Sequence, residues 1–202
     1  MFKLISSDDL KEISKGSFSE DFDPLLDDIL IPAVGESFAH YCNRPDFDKK
    51  ARTEFFSPGE NRRCLFLFSP PIDPGIQVWE SSAIPRDYTT LLTEGSDYFL
   101  DPEAGIIERG AGGCYACSYW RRGSRTVKAT YTGGYLTGDC EGVPPSLRLA
   151  AITQCKIYFD QRDAYGITGK SLEGGSITLL SILTLPKQVT MLLDCYRLPR
   201  EM

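Results

Sequence analysis

Apolar residues in this chain recur at helical spacing as far as about Ala51, alternate from there to about Val143, and return to helical spacing afterwards. A segment with a period near 3.6 cannot present one clean face as a strand, nor an alternating segment as a helix. The order of elements is therefore helix, helix, β block, helix, helix. Each amphipathic helix needs a partner to cover its apolar stripe, so the terminal helices are expected to pack together with the β block inserted at one end. The predicted fold is α+β: a discontinuous helical bundle from residues 1–50 and 143–202, and an antiparallel β insertion over residues 51–142. At 202 residues there is room for this arrangement but not for two large domains.

Local signals support the helices. Ser6 with Asp9 three residues on reads as a capping box, Leu10 and Ile13 supply an apolar side, and Gly16 stops the helix. Asp23 and Pro24 open a second helix, Asp27 and Asp28 suit its N-terminal end, and Leu26, Ile29, Leu30, Ala33, Phe38, Tyr41 and Cys42 recur along it, with a kink expected at Pro32. Pro144 and Pro145 open a long helix with Leu147, Ala150, Ala151, Gln154, Ile157, Tyr158 and Gln161 on one face, ending near Gly166. A Gly-rich connector with Gly169, Gly174 and Gly175 leads to an extended Ile177–Leu185, and Pro186 starts a final helix carrying Val189, Leu192, Leu193 and Tyr196.

Within the β block, short runs rich in aromatic and β-branched residues are separated by turns such as Ser57-Pro58-Gly59 and Asp73-Pro74-Gly75. The clearest run is Thr126–Tyr131, where Val127, Ala129 and Tyr131 face one way and Lys128 and Thr130 the other.

Charge argues against autonomous nucleic-acid binding. The chain carries 22 basic against 28 acidic residues, a net of −6, and in the first fifty residues six basic residues meet eleven acidic ones. A phosphate ligand calls for a basic face instead. The longest apolar runs fall far short of the ~20 residues a bilayer span needs. Met1, Phe2 and Lys3 lead into polar and acidic residues rather than a secretory signal, so synthesis in the cytoplasm is expected. The seven scattered cysteines read as small apolar residues in a reducing compartment.

Signatures of catalysis are sparse. His40 is the sole histidine, with no nucleophile elbow to serve. The Gly110, Gly112, Gly113 loop lacks the Lys-Ser or Lys-Thr and following helix of a phosphate cradle, and Gly133-Gly134 reads as a turn needing positive φ. Asp97 and Asp101, four apart, would share one strand face. Cys114 and Cys117 have the spacing of two thiolate ligands to one metal, which makes a small metal-binding module the alternative reading, but no second pair completes a tetrahedral site. Arg121, Arg122 and Arg125 with Tyr119 and Trp120 form a basic and aromatic cluster read as a solvated hairpin rim or a protein contact. No catalytic residue, cofactor or metal is assigned.

Taken in order, Asp97-Tyr98-Phe99-Leu100-Asp101, Gly105-Ile106-Ile107, Val127 through Tyr135, Val143-Pro144-Pro145-Ser146-Leu147-Arg148-Leu149-Ala150, Tyr158, Gln161-Arg162-Asp163, Tyr165-Gly166-Ile167, Leu185-Pro186 and Val189 to Arg197 resemble the head–tail connector proteins (adaptor or head completion proteins) of tailed bacteriophages. The resemblance covers nearly the whole chain, in packing and turn residues. It implies a non-enzymatic virion protein, made in the host cytoplasm, that forms a ring of twelve copies between the portal and the tail or next connector protein. Such a ring lines a channel through which DNA passes without tight binding, and no membrane is involved. Some members dock on the portal through a longer C-terminal extension, a departure from Leu198 to Met202, which follow the last helix here. Residues offered for contact with neighbouring subunits or the portal are the apolar ones of the connector: Leu172, Ile177, Leu179, Leu180, Ile182 and Leu183. Apolar content of this kind in a loop of about twenty residues is usually functional.

Overall fold

A computed structural model describes residues 3–14, 23–110, 118–136, 142–160, 169–172, 175–178 and 185–199, the segments 169–172 and 175–178 by their backbone. The chain forms two compact units, one from Met1–Asp46 with Leu136–Arg200 and the other from Phe47–Tyr135. It is a mixed fold of helices and antiparallel sheets.

In the first unit, α1 (Ser7–Ser14) starts at a reciprocal cap. The Asp9 backbone N–H donates to Ser6 Oγ at 3.2 Å and the Ser6 N–H donates to Asp9 Oδ2 at 3.0 Å. Burial works to raise the Asp9 pKa, but the Ser6 hydrogen bonds and the Arg148 charge together hold it below the ordinary carboxylate value. Arg148 reaches the same carboxylate at 2.7 Å and ties α1 to α4 (Pro145–Asp160). Lys3–Asp27 at 2.9 Å and Lys11–Asp23 at 2.6 Å fasten the first segment to the second helix.

That second helix changes gauge along its length. A single α-helical turn, α2 (Asp23–Leu25), runs into a π-helical segment, Leu26–Leu30, and then into α3 (Ile31–Tyr41). Pro32 explains the change. It has no N–H to donate, and its ring collides with the carbonyl four residues back. The widened turn relieves both problems, with Ile31 N–H bonding to Leu26 O five residues back. Where the sequence predicts a kink at Pro32, the structure has a π segment ending just before it.

Helix α4 packs against α1, α3 and α5 (Lys187–Leu193), burying Leu147, Ala150, Ala151, Ile152, Gln154, Cys155 and Phe159. A short 3₁₀ turn, Asp194–Tyr196, follows α5.

The second unit consists of two sheets. Strands β1 (Lys50–Phe56), β7 (Val127–Gly133), β3 (Gln77–Glu80) and β4 (Thr90–Leu92) form one in that order, and β2 (Cys64–Phe66), β6 (Ile106–Arg109) and β5 (Tyr98–Asp101) the other. Strict alternation along β7 buries Val127, Ala129, Tyr131 and Gly133. Val127, Ala129 and Tyr131 join Phe56, Val78 and Leu92 from their own sheet and Leu65, Tyr98 and Ile107 from the other in one core. Within it the Tyr131 hydroxyl donates to Glu54. Burial first, and the Glu54 charge second, push the phenol pKa far up, so Tyr131 stays neutral.

Both ends of the β unit are pinned together. Lys49 N–H donates to Tyr135 O at 2.8 Å and Tyr135 N–H donates to Phe47 O at 2.8 Å. Gly134, at φ +109°, makes this crossing possible: a Cβ there would lie 2.4 Å from the Asp48 carbonyl oxygen.

Candidate interaction surfaces

Among the described residues no group of three His, Cys, Asp or Glu side chains could hold a metal ion. Burial pushes the Cys42 thiol up to about 11 and the Cys155 thiol up to about 12, so neither is a nucleophile at neutral pH. His40 lies exposed in the last turn of α3. Cys114 and Cys117 lie outside the described residues, as do Gly112 and Gly113. At Gly110 a Cβ would come within 2.6 Å of the ring of the exposed Phe99, which would have to shift.

Asp97 and Asp101 do not share a strand face. Asp97 precedes β5 and its Oδ2 accepts the Thr93 N–H at 2.8 Å, while Asp101 Oδ1 accepts the Ala104 N–H at 3.1 Å in the next turn. Both are turn anchors.

The connector between α4 and α5 holds a hairpin that the sequence reading treats as a loop followed by an extended segment. Strands β8 (Gly169–Leu172) and β9 (Gly175–Thr178) pair antiparallel, Leu172 opposite Gly175 and Ile177 opposite Lys170. Leu179, Leu180, Ile182 and Leu183 lie outside the described residues. The returning end of the connector is firmly tied. Tyr41 donates to Asp194 at 2.7 Å, Arg44 Nε to Tyr196 O at 2.8 Å, and Asn43 Nδ2 to Leu198 O at 2.9 Å; Leu198 N–H donates to Cys42 O at 2.9 Å. Arg197 lies over the Tyr41 ring at 5.4 Å. This clasp on the end of α3 holds α5 and so fixes where the connector lands.

The cluster at residues 119–125 separates. Trp120 is buried in the β core rather than lying on a rim, with the Arg109 guanidinium 5.3 Å from its ring centre. A side chain of that size gains more from the core than from a hairpin edge. Arg122 pairs with Glu60, and the Arg121 N–H donates to Glu80 at 2.9 Å.

Arg125 belongs instead to the outer face of the four-stranded sheet. Register places Phe55 opposite Lys128, Lys128 opposite Trp79, and Trp79 opposite Leu91, one row across β1, β7, β3 and β4. Phe55 is 40% and Leu91 54% exposed, and Trp79 and Lys128 are half-buried. Lys128 Nζ lies 4.6 Å from the Trp79 ring centre and 5.8 Å from that of Tyr88; Arg125 lies 4.1 Å from that of Phe55. Tyr88 tilts against Phe55 at 5.6 Å and donates its hydroxyl to Arg125 O at 2.7 Å. The result is a solvent-facing aromatic surface with two cations seated on it.

A second exposed face lies on the first unit. Leu25 is 46% and Ile29 61% exposed, four residues apart across the join of α2 and the π segment. Asp28, Ala33 and Glu36 are exposed beside or beyond them on the same helix. This face is apolar and acidic.

Among the described residues no helix is long and apolar enough to cross a membrane. No protein-family model matches the chain, and no curated protein matches it. Solved structures do. The chain is similar to one in the neck of an empty GTA particle computed with C6 symmetry, at 12% identity and TM-score 0.57, covering 98% of this chain and 92% of that one. It is similar to one in the neck of a native GTA particle computed with C12 symmetry, at 13% identity and TM-score 0.54 over 100% and 97%. A third likeness, to a chain of the virion of a native gene transfer agent (GTA) particle, has 13% identity and TM-score 0.52 over 93% and 82%. This agrees with the connector-type resemblance read from the sequence: the protein has the fold of a chain found in the neck of a gene transfer agent particle.

Proposed function

We propose that this protein is a structural component of a phage-like virion, a head–tail connector that assembles as a ring between the portal and the tail or next connector protein. The observation that carries this reading is a fold likeness running almost end to end through chains of neck assemblies, one of them computed with C12 symmetry. Twelve copies would then surround the channel through which DNA passes. A net charge of −6 suits a lining that lets DNA slide.

In this reading the connector is the contact element. Its apolar residues Leu172, Ile177, Leu179, Leu180, Ile182 and Leu183 are assigned to a neighbouring subunit or to the portal. Covering them stabilises the assembly by about 25 cal/mol per Å² of apolar surface removed from water. The clasp around residues 194–199 supports the role, because a connector that reaches a neighbour needs a fixed landing point.

Electron microscopy of the purified full-length protein, alone and mixed with a portal protein, tests the proposal. Rings co-axial with the portal are expected. A protein that neither forms rings nor binds portal, while remaining folded, would overturn it.

A further inference from the structure

A ring built from identical subunits requires two different and mutually complementary surfaces on each copy, one facing each way around the ring. The described residues offer such a pair. The outer face of the four-stranded sheet is aromatic and cationic: Phe55, Trp79 and Leu91 with Lys128 and Arg125. Neither Lys128 nor Arg125 has a carboxylate within ion-pair distance among the described residues. The exposed side of the second helix is apolar and acidic: Leu25 and Ile29, with Asp28 and Glu36. The nearby acids Asp23 and Asp27 are already engaged by Lys11 and Lys3, whereas Asp28 and Glu36 have no such cation among the described residues.

We infer that these two faces are each other's partners: the cation–aromatic sheet face of one copy seats on the Leu25–Glu36 helix face of the next. The inference rests on the ring reading and adds to it the surfaces that close the ring. Charge complementarity selects the occupant. The sheet face offers cations over aromatic rings, which hold a carboxylate-bearing apolar helix better than a neutral one. The first fifty residues, six basic against eleven acidic, are where this chain keeps its surplus of carboxylates. Ile29 lies within the π segment and is 61% exposed, and π turns inside helices recur at functional sites.

The test is a charge exchange in the full-length protein. Self-association is measured by sedimentation velocity, and the rings are viewed by negative-stain electron microscopy. Lys128→Glu alone and Asp28→Lys alone should each weaken association about tenfold or more. Their combination should restore it to within about threefold of the parent protein. Circular dichroism keeps loss of fold separate from loss of contact, and Ile29→Asp is a second variant, on the other unit, that should also weaken association. Trp79 should be open to iodide quenching in the free subunit and protected in the ring. Rings whose stability ignores Lys128→Glu, or a combined variant no better than the singles, would overturn the pairing and leave the ring reading standing. Failure of the parent protein to associate at all, alone or on its portal, would overturn both. Titration of Trp79 fluorescence with a single-stranded oligonucleotide completes the test: binding that vanishes in Lys128→Glu would assign the face to nucleic acid and overturn the inference.

Discussion

Replacing Gly134 by alanine should loosen the β unit at the crossing where its two ends meet. Two costs add at this position. The backbone sits at φ +109°, a region that side-chain-bearing residues reach at a cost of about 1–3 kcal/mol. The new Cβ would also lie 2.4 Å from the Asp48 carbonyl oxygen and 2.8 Å from its carbon, so main chain must shift, at about 1–3 kcal/mol for forced overpacking. Together they give a loss of about 2–6 kcal/mol, the sum of the two ranges. For a chain of this length that lowers the thermal midpoint by at least about 4 °C. Two further glycines separate the contributions. Gly75 has φ +98° but open space around its Cβ position, and Gly59 has neither a positive φ nor a neighbour within 4 Å. Thermal and urea melts of Gly59→Ala, Gly75→Ala and Gly134→Ala should therefore rank in that order, with Gly59→Ala neutral or slightly stabilising. Amide exchange at Lys49 and Tyr135 should accelerate in Gly134→Ala alone. A Gly134→Ala protein as stable as Gly75→Ala would refute the steric half of the argument.

Other outcomes follow from the same structure. Asp9 has a folded pKa below its ordinary value, so its contribution is fully present above about pH 4 and is lost as pH falls through the folded value. Asp9→Asn should therefore cost about 1 kcal/mol at pH 7 and progressively less in more acidic urea melts, and a penalty constant with pH would contradict the assignment. Alkylation of the native protein at pH 8 followed by peptide mapping should modify exposed Cys195 while leaving Cys42 and Cys155 intact, because burial keeps both as thiols; rapid labelling of Cys155 would contradict their burial. Excising residues 47–135 in favour of a short Gly/Ser linker should leave a soluble helical protein, and aggregation without helical circular dichroism would count against a separable insertion. Leu179→Asp combined with Leu180→Asp should abolish incorporation into particles while leaving solubility and helicity unchanged; tail-competent particles carrying the double variant would remove the connector from the contact.

What could be read from the sequence was what local chemistry decides. Ser6 and Asp9 cap α1 through bonds spanning three residues, and the alternation of β7 is a property of one strand. Pro32 predicted a kink in the second helix, whereas the π segment before it depends on how the flanking turns absorb a missing donor. Trp120 stands beside Arg121 and Arg122 in sequence and so looked like part of a rim; its burial is set by both sheets closing over it, which no local pattern reports. The row Phe55, Lys128, Trp79, Leu91 was illegible for the same reason, since it exists because β1, β7, β3 and β4 pair in that order. The connector hairpin pairs Lys170 with Ile177 and Leu172 with Gly175, a pairing that the Gly-rich composition of this stretch masked.

Reconstruction of the purified particle by cryo-electron microscopy, with the copy number of this chain counted by quantitative mass spectrometry, tests the central claim most directly. The account predicts a twelve-membered ring of this fold at the neck, between portal and tail, with the sheet face of each copy against the second helix of the next. Purified particles that lack the chain, or that carry it away from the neck, would contradict it.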